Sequence, residues 1–144
     1  MTEVEFHTGV ADRIGFACRL LRKAYRRGAR VLVTASPEDL ATLDRALWVF
    51  EERDFVPHVR MPGAPAAVAA RTPIWLSAQA GSAESEPRLL LNLGADAPED
   101  LSALDRLIEV VGSEPDDAER GRGRWRGYKQ AGLQIKHHTA AAGD

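Results

Sequence analysis

Short apolar segments alternate along this chain with longer stretches in which apolar residues recur every three or four positions. A compact apolar run, or an alternation of apolar and polar residues, predicts a strand, whereas the three- and four-residue spacing predicts an amphipathic helix. This pattern predicts a short first strand that ends at Gly9 and further strands at residues 30–35, 74–76, 89–93 and 133–135.

Two helices are predicted in the first half of the chain. The first spans residues 12–27 and ends before Gly28, a residue that commonly terminates helices. The second begins at Ser36 and Pro37, because serine can cap free backbone amides and proline suits the first helical position. Four apolar residues form the predicted buried face of this second helix: Leu40, Leu43, Leu47 and Phe50.

Two further helices are predicted in the second half. One opens at Pro98 and continues to Val111, because leucine, isoleucine and valine recur there at helical spacing. The last starts at Ser113 and reaches about Ala131, where Gly132 would end it. A connection at residues 61–73 and a mobile loop at 77–87 complete the prediction.

Alternating strands and helices indicate an α/β fold of three layers, with a mostly parallel sheet and helices on both faces. We expect a single domain over residues 1–138 and a disordered tail over 139–144. Apolar residues make up 44% of the 144 positions and charged residues 28%, as in ordinary soluble proteins. The absence of a long apolar stretch or a signal-like N-terminus favours a cytoplasmic protein that does not contact membranes.

The sequence lacks the motifs of common catalytic and cofactor sites. No phosphate-binding glycine motif follows a predicted strand, and Cys18, the only cysteine, is expected to be a buried structural thiol. His7 and His58 have no evident carboxylate or second ligand at metal spacing, and His137 and His138 are expected to point to opposite faces of a strand. We therefore predict a protein without catalytic residues, metal or cofactor.

A basic segment at residues 120–129 is the main candidate for chemistry. It contains five of the 19 lysines and arginines, two aromatic residues and none of the 21 acids, in a chain of net charge −2. On a helix, three cations and one indole of this segment share an arc of about 100°. These four residues are Arg122, Trp125, Arg126 and Lys129. Arg120 and Arg124 are expected on the far side.

Two interpretations of this segment remain open. Acids in the first turn and cations in the last turns also complement the helix dipole, and Trp125 and Tyr128 also belong to a stripe that could face the core. If the cations do bind an anion, the acidic remainder of the chain favours a short acidic peptide. Direct binding of single-stranded nucleic acid is the alternative, supported by further cations on the first helix.

Three segments resemble the chi subunit of bacterial DNA polymerase III holoenzyme. Residues 43–48 read Leu-Asp-Arg-Ala-Leu-Trp, residues 54–58 read Asp-Phe-Val-Pro-His, and residues 124–133 read Arg-Trp-Arg-Gly-Tyr-Lys-Gln-Ala-Gly-Leu. The resemblance extends to about Ile135. It implies a nucleotide-binding-like fold without a nucleotide site, in a non-catalytic subunit associated with the clamp loader.

The resemblance also implies partners. The family binds the acidic C-terminal tail of single-stranded DNA-binding protein, which assigns tail binding to Arg122, Trp125, Arg126 and Lys129, with Tyr128 as a supporting neighbour. The family pattern has a further lysine about one turn before Arg122, where this chain has Ala118.

A second surface of the family contacts the psi subunit. The resemblance assigns this role to Trp48, Phe55, Val56 and His58. Another clamp-loader component or a helicase could occupy this surface where psi is lacking. In this family-based assignment, nucleic acid is contacted only indirectly, through the single-stranded DNA-binding protein.

Overall fold

The computed structural model describes residues 2–49, 55–81 and 86–140. In the described residues, strands alternate with α-helices up to Ser77 and again from Arg106. Between these parts a further strand is followed by a short 3-10 turn at Leu101–Ala103. In chain order the elements are β1 (Glu3–Val10), α1 (Arg13–Arg26), β2 (Val31–Thr34), α2 (Pro37–Val49), β3 (His58–Met61), α3 (Ala66–Arg71), β4 (Ile74–Ser77), β5 (Leu89–Asn92), β6 (Arg106–Gly112), α4 (Pro115–Gln130) and β7 (Ile135–Thr139).

The strands form one sheet in the order β3-β4-β2-β5-β6-β1-β7, which is seven-stranded within the described ranges. Every described strand pair is parallel. A parallel sheet must be covered on both faces, and helices lie on each. The predicted three-layer α/β fold is therefore confirmed.

Two hydrophobic cores lie on the two faces of this sheet. On the first face, α1 and α2 pack over alternate strand residues such as Ile108 and Val110. On the second face, α3 and α4 pack over the intervening residues, such as Leu107 and Val111. Cys18 lies in the first core with 1% of its surface exposed, and burial raises the pKa of its thiol to about 11, so the predicted buried thiol is confirmed.

The predicted start of α2 and the predicted end of α4 are confirmed, whereas α4 begins at Pro115 rather than at Ser113. The Ser36 hydroxyl accepts a hydrogen bond from the backbone amide of Asp39 at 3.1 Å, as expected of an N-terminal cap. At the end of α4, Gly132 has φ +86°, a left-handed conformation that glycine adopts without strain. The amide of Leu133 then donates to the Tyr128 carbonyl and closes the end of α4.

The predicted helix from Pro98 to Val111 is wrong. Only the short turn at Leu101–Ala103 is helical, and β6 follows it, paired with β1 on one side and β5 on the other. A strand buried on both faces carries apolar residues at most positions, so its pattern also fits helical spacing.

Two other segments differ from the prediction. The connection at 61–73 contains α3 and begins at the end of β3, which is short, partly exposed and carries only weak strand signals. The last strand lies later than predicted: it begins at Ile135, where the prediction ended, and runs to Thr139, and the Ala140 amide donates to the Thr8 carbonyl. Phe50, part of the 77–87 loop and residues 141–144 lie outside the described ranges.

Candidate binding surfaces

A row of in-register residues crosses the second face of the sheet beneath α4. The pairing places Thr34 beside Asn92, Asn92 beside Glu109, Glu109 beside Phe6, and Phe6 beside His137. The row is polar at its centre and aromatic toward the β7 edge. Helix α4 lies over the point where this character changes, so it contacts both parts.

The polar part is a buried network around Glu109, which has no exposed surface. Its carboxylate accepts hydrogen bonds from Arg124 Nε at 3.0 Å, from the Tyr128 hydroxyl at 2.6 Å and from Asn92 Nδ2 at 3.1 Å. Burial raises the pKa of Glu109, and the Arg124 guanidinium opposes that shift. Burial and the neighbouring Glu109 charge also raise the pKa of Tyr128. This network fixes α4 against β6.

As predicted, Arg124 lies on the far side of α4 from Arg122 and Arg126, where it lines a separate cavity together with Arg120, but its burial was not predicted. Only 9% of Arg124 is exposed, because the side chain turns inward to Glu109. Its Nη2 atom is buried without a hydrogen-bond partner. Arg124 therefore belongs to the support of α4. The sequence pattern does not indicate this pairing, because it predicts a helix at Glu109 and not a strand beneath α4.

Gly121 allows α4 to approach the sheet closely. A Cβ atom at this position would lie 2.8 Å from Val111 Cγ1, which is closer than side-chain atoms can pack. The glycine that weakens the helix on its own thus permits its contact with β6.

A cavity of about 590 Å³ lies between α4 and the β1 and β7 edge of the sheet. We refer to it as the α4 groove. Its lining combines two aromatic rings, two guanidiniums and two polar side chains, namely Phe6, Trp125, Arg122, Arg126, Thr8 and His137. Such a mixture of apolar surface and a few converging polar groups is typical of a ligand site.

The aromatic wall of the α4 groove is formed by Trp125 and its neighbours. Trp125 is partly buried, with its ring 4.9 Å from Phe6 in an edge arrangement and 5.2 Å from His137. Thr8 Oγ1 lies 2.7 Å from His137 Nε2, so these two side chains hold each other in place. Sequence reasoning missed Thr8 and His137, although the alternation of β7 already puts His137 on the same face as Ile135.

Arg122, Arg126 and Lys129 are all exposed on the outer side of α4, and the first two line the α4 groove. Arg122 Nη2 lies 2.6 Å from Glu119 Oε2, which lowers the pKa of that carboxyl. Both groups are more than 60% exposed, so this ion pair contributes little stability and can be exchanged for another anion. Lys129 is not part of the groove lining.

The remaining predicted positions on α4 are Ala118 and Tyr128. Ala118 lines the α4 groove and adds no charge to it. Tyr128 is 2% exposed and belongs to the Glu109 network, so it can support the site only through the position of α4.

A second surface lies on α2 and the segment before β3. Trp48 is 62% exposed, Val49 79% and Phe55 42%, and we refer to these three residues as the Trp48 patch. The rings of Trp48 and Phe55 stack with their centroids 4.8 Å apart. Large apolar side chains that are exposed and stacked together are typical of protein interaction sites.

The other two residues assigned to this surface are buried beneath it. Val56 is 1% exposed and belongs to the first core. The His58 ring lies 5.4 Å from Trp48, and its nitrogens contact the Val56 carbonyl and Asp44 Oδ1, each at 2.8 Å. The expectation that His58 has no carboxylate neighbour is therefore wrong, and His58 positions the patch rather than extending it.

The same expectation is also wrong for His7. Glu5, on the same strand, and His138, on the neighbouring strand β7, both lie beside it. As predicted, His137 and His138 point to opposite faces, but only His137 reaches the α4 groove. The parallel pairing of β1 with β7 brings these distant residues together.

The chain shows clear similarity to known proteins. The sequence profile of the family "DNA polymerase III chi subunit, HolC" matches residues 1–136. The DNA polymerase III subunit chi of Pseudomonas aeruginosa strain PAO1 is 31% identical over 144 residues, which covers 96% of each chain. The corresponding subunit of Escherichia coli K12 is 26% identical over 123 residues, or 85% of this chain and 82% of that protein.

These similarities and the fold agree with the resemblance found in the sequence. The chain belongs to the DNA polymerase III chi subunit family. No helix in the part of the chain that the structure describes is long and apolar enough to cross a lipid bilayer.

Proposed function

We propose that this protein is a non-catalytic accessory subunit of a bacterial DNA polymerase III that acts by binding two proteins. The α4 groove would bind the acidic C-terminal tail of single-stranded DNA-binding protein. The Trp48 patch would bind the psi subunit or another clamp-loader component, or a helicase. The protein would thereby link the coated DNA strand to the replicase in the cytoplasm.

The observation that carries the first assignment is the composition of the α4 groove. An aromatic side chain at the end of a peptide would pack against Trp125 and Phe6, which are already held edge to face. The free carboxylate beside it would accept hydrogen bonds from a guanidinium, which presents several N–H groups in a fixed plane. The groove thus offers both kinds of contact in one cavity.

The cations around the groove would bind the acids that precede the terminal residue. Arg122 is held only by an exposed ion pair with Glu119, so a peptide carboxylate could replace that partner at little cost. Lys129 lies on the exposed outer side of α4, beyond the groove. It would attract the acidic peptide over a distance rather than bind its terminal residue.

The second assignment follows from the Trp48 patch. The stacked Trp48 and Phe55 rings and the exposed Val49, which follows Trp48 on α2, present apolar side chains beside the His58 and Asp44 contact. Tryptophan on such a surface often contributes a large share of the binding free energy in a protein interface. A partner with an apolar surface would cover it.

A labelled acidic peptide with a C-terminal phenylalanine tests tail binding when titrated against wild type, Arg126→Ala and Arg120→Ala. Arg120 is exposed on the same helix but does not line the groove, so its substitution removes the same charge at a different place. Arg126→Ala should weaken binding by about ten- to a hundredfold, the loss of one charged hydrogen-bonded contact. Arg120→Ala should change it by less than about threefold.

Amidation of the peptide C-terminus should also weaken binding to wild type, because it removes the terminal negative charge. Equal affinities of wild type and Arg126→Ala would contradict the assignment of the site. Equal losses in the two variants would show that net charge, and not the groove, controls binding. Tighter binding of a single-stranded oligonucleotide than of the peptide would favour direct binding of nucleic acid.

The partner at the Trp48 patch can be identified by co-purification with clamp-loader subunits of the same organism. Trp48→Ala should lose the partner and retain the peptide affinity, whereas Arg126→Ala should do the reverse. Loss of both partners in either variant would contradict two separate surfaces.

A further inference from the structure

Three ligand-type side chains meet on the first face of the sheet, opposite the α4 groove. Glu5 and His7 are two residues apart on β1, so they point to the same face. His138 is the register partner of His7 on β7 and points to that face as well. Side-chain exposures are 16% for Glu5, 20% for His7 and 52% for His138. The group is therefore half-buried and open on the β7 side.

The polar atoms of the three residues converge. One ligand atom from each lies within 4.8 Å of the others. His138 Nε2 is 2.9 Å from Glu5 Oε1, and His7 Nε2 is 3.7 Å from Glu5 Oε2. The two imidazole rings stack with their centroids 4.8 Å apart. Both histidines thus direct a nitrogen toward the same carboxylate.

Arg106 holds this carboxylate from the other side. Its Nη2 atom lies 2.7 Å from Glu5 Oε2, which leaves Oε1 directed at His138. In metal sites, ligating carboxylates and imidazoles are commonly oriented by such an outer hydrogen bond. Arg106 therefore fixes one ligand oxygen in position without occupying it.

We propose that Glu5, His7 and His138 bind one divalent transition metal ion of the zinc class. Two imidazole nitrogens and one carboxylate oxygen are a common ligand set for Zn²⁺, with water in a fourth position. The half-exposed side of the cluster leaves space for that water. The proposal does not depend on the function proposed above.

The surroundings favour imidazole-binding metals over Mg²⁺ and Ca²⁺. Those two ions require six or more oxygen ligands in most sites, and the cluster supplies one carboxylate. Arg19 and Lys23 also line the adjacent cavity of about 500 Å³ and repel every divalent cation, so an ion must form strong bonds to the imidazole nitrogens to bind there.

Metal binding requires a small rearrangement of the side chains. Zinc bonds to nitrogen and oxygen are about 2.0–2.2 Å long, so tetrahedral ligand atoms lie roughly 3.3 Å apart. The stacked rings must also turn, because the lone pair of each nitrogen lies in the plane of its ring. His138 is half exposed and can rotate at little cost. The bound ion would join the edge strand β7 to β1.

Calorimetric titration of tag-free protein with ZnCl₂ tests this proposal, with His138→Ala as the test variant and His137→Ala as its matched control. The two histidines are adjacent, but His137 points to the opposite face and lies outside the cluster. Wild type and His137→Ala should bind one ion per chain with similar affinity. His138→Ala should bind at least about tenfold more weakly, since even outer-shell substitutions cost that much.

A second readout separates metal binding from a loss of folding. Saturating Zn²⁺ should raise the melting temperature of wild type, since an ion that binds only the folded protein stabilises it. MgCl₂ at equal concentration should leave the melting temperature unchanged. Glu5→Gln should reduce both the zinc affinity and this shift. No saturable binding of Zn²⁺ to wild type would overturn the proposal. Equal zinc affinities of wild type and a folded His138→Ala protein would overturn the proposal as well.

Discussion

The α4 groove and the Trp48 patch differ in how the protein supports them. The groove lies on the second face, where α4 is held by a buried ion pair and where charged side chains surround a cavity. The patch lies at the end of α2, on the other face, and its rings stack on each other above a buried histidine. The first surface can select a ligand by charge and shape. The second offers apolar area.

This difference indicates what each surface requires of its partner. A short flexible peptide buries little area, so its affinity depends on a few strong contacts with groups already in position. An apolar patch instead gains free energy in proportion to the area that a partner covers. We therefore expect the groove to be sensitive to single charges and the patch to be sensitive to the loss of large side chains.

The largest expected effect is at the support of the groove. Arg124→Ala leaves Glu109 buried without its cationic partner, so it should lower the free energy of unfolding by about 3–5 kcal/mol. Arg122→Ala removes an equal charge from the exposed side of the same helix and should change the free energy of unfolding by less than about 0.5 kcal/mol. Urea denaturation of the three proteins measures both values. Similar losses in the two variants would show that the buried pair has no special role.

A similar or somewhat smaller effect should separate the patch from the core beneath it. Leu47 is 1% exposed and Trp48 is 62% exposed, although they are neighbours on α2. Leu47→Ala should cost about 2–5 kcal/mol of unfolding free energy, as expected for a buried leucine. Trp48→Ala should cost less than about 1 kcal/mol, because most of its surface is already in water.

Thermal or urea unfolding of these two variants provides the comparison, with wild type as the reference. If Trp48→Ala were as destabilising as Leu47→Ala, the tryptophan would be a core residue and the patch would not be a binding surface. A stable Trp48→Ala protein that no longer co-purifies with its partner would support a role in binding.

The smallest expected effect is the response to salt. Raising the ionic strength from about 0.05 M to 0.5 M shortens the Debye length to a few ångströms, so exposed charges no longer attract the peptide from a distance. Peptide affinity at the α4 groove should fall several-fold, whereas partner binding at the Trp48 patch should hardly change. Fluorescence anisotropy at a series of salt concentrations measures the first, and analytical gel filtration measures the second. An equal salt dependence of peptide binding and partner binding would contradict the distinction between the α4 groove and the Trp48 patch.

Several features were predictable from sequence because they depend on local signals. The serine at the start of α2 and the glycine after α4 act within one turn of the helix, so the sequence alone locates those ends. The predicted arc of Arg122, Trp125, Arg126 and Lys129 is confirmed for the first three residues, which line one groove, but not for Lys129.

Other features depend on residues far apart in the chain. The inward turn of Arg124 requires Glu109 on a central strand, and that strand was predicted as a helix because both of its faces are apolar. The meeting of His7 with His138 requires the pairing of β1 with β7. Helical or strand periodicity describes one element at a time, so neither contact could be inferred from it.

The proposed tail site can be tested most directly with the three tryptophan indole N–H groups, observed by nuclear magnetic resonance. Trp125 lies in the α4 groove, Trp48 is exposed on the patch, and Trp75 is buried with its indole N–H donating to the Ala69 carbonyl. Addition of an acidic peptide with a C-terminal phenylalanine should shift the Trp125 signal and leave those of Trp48 and Trp75 in place. An unchanged Trp125 signal at saturating peptide, or a shift at Trp48 instead, would contradict the proposed site.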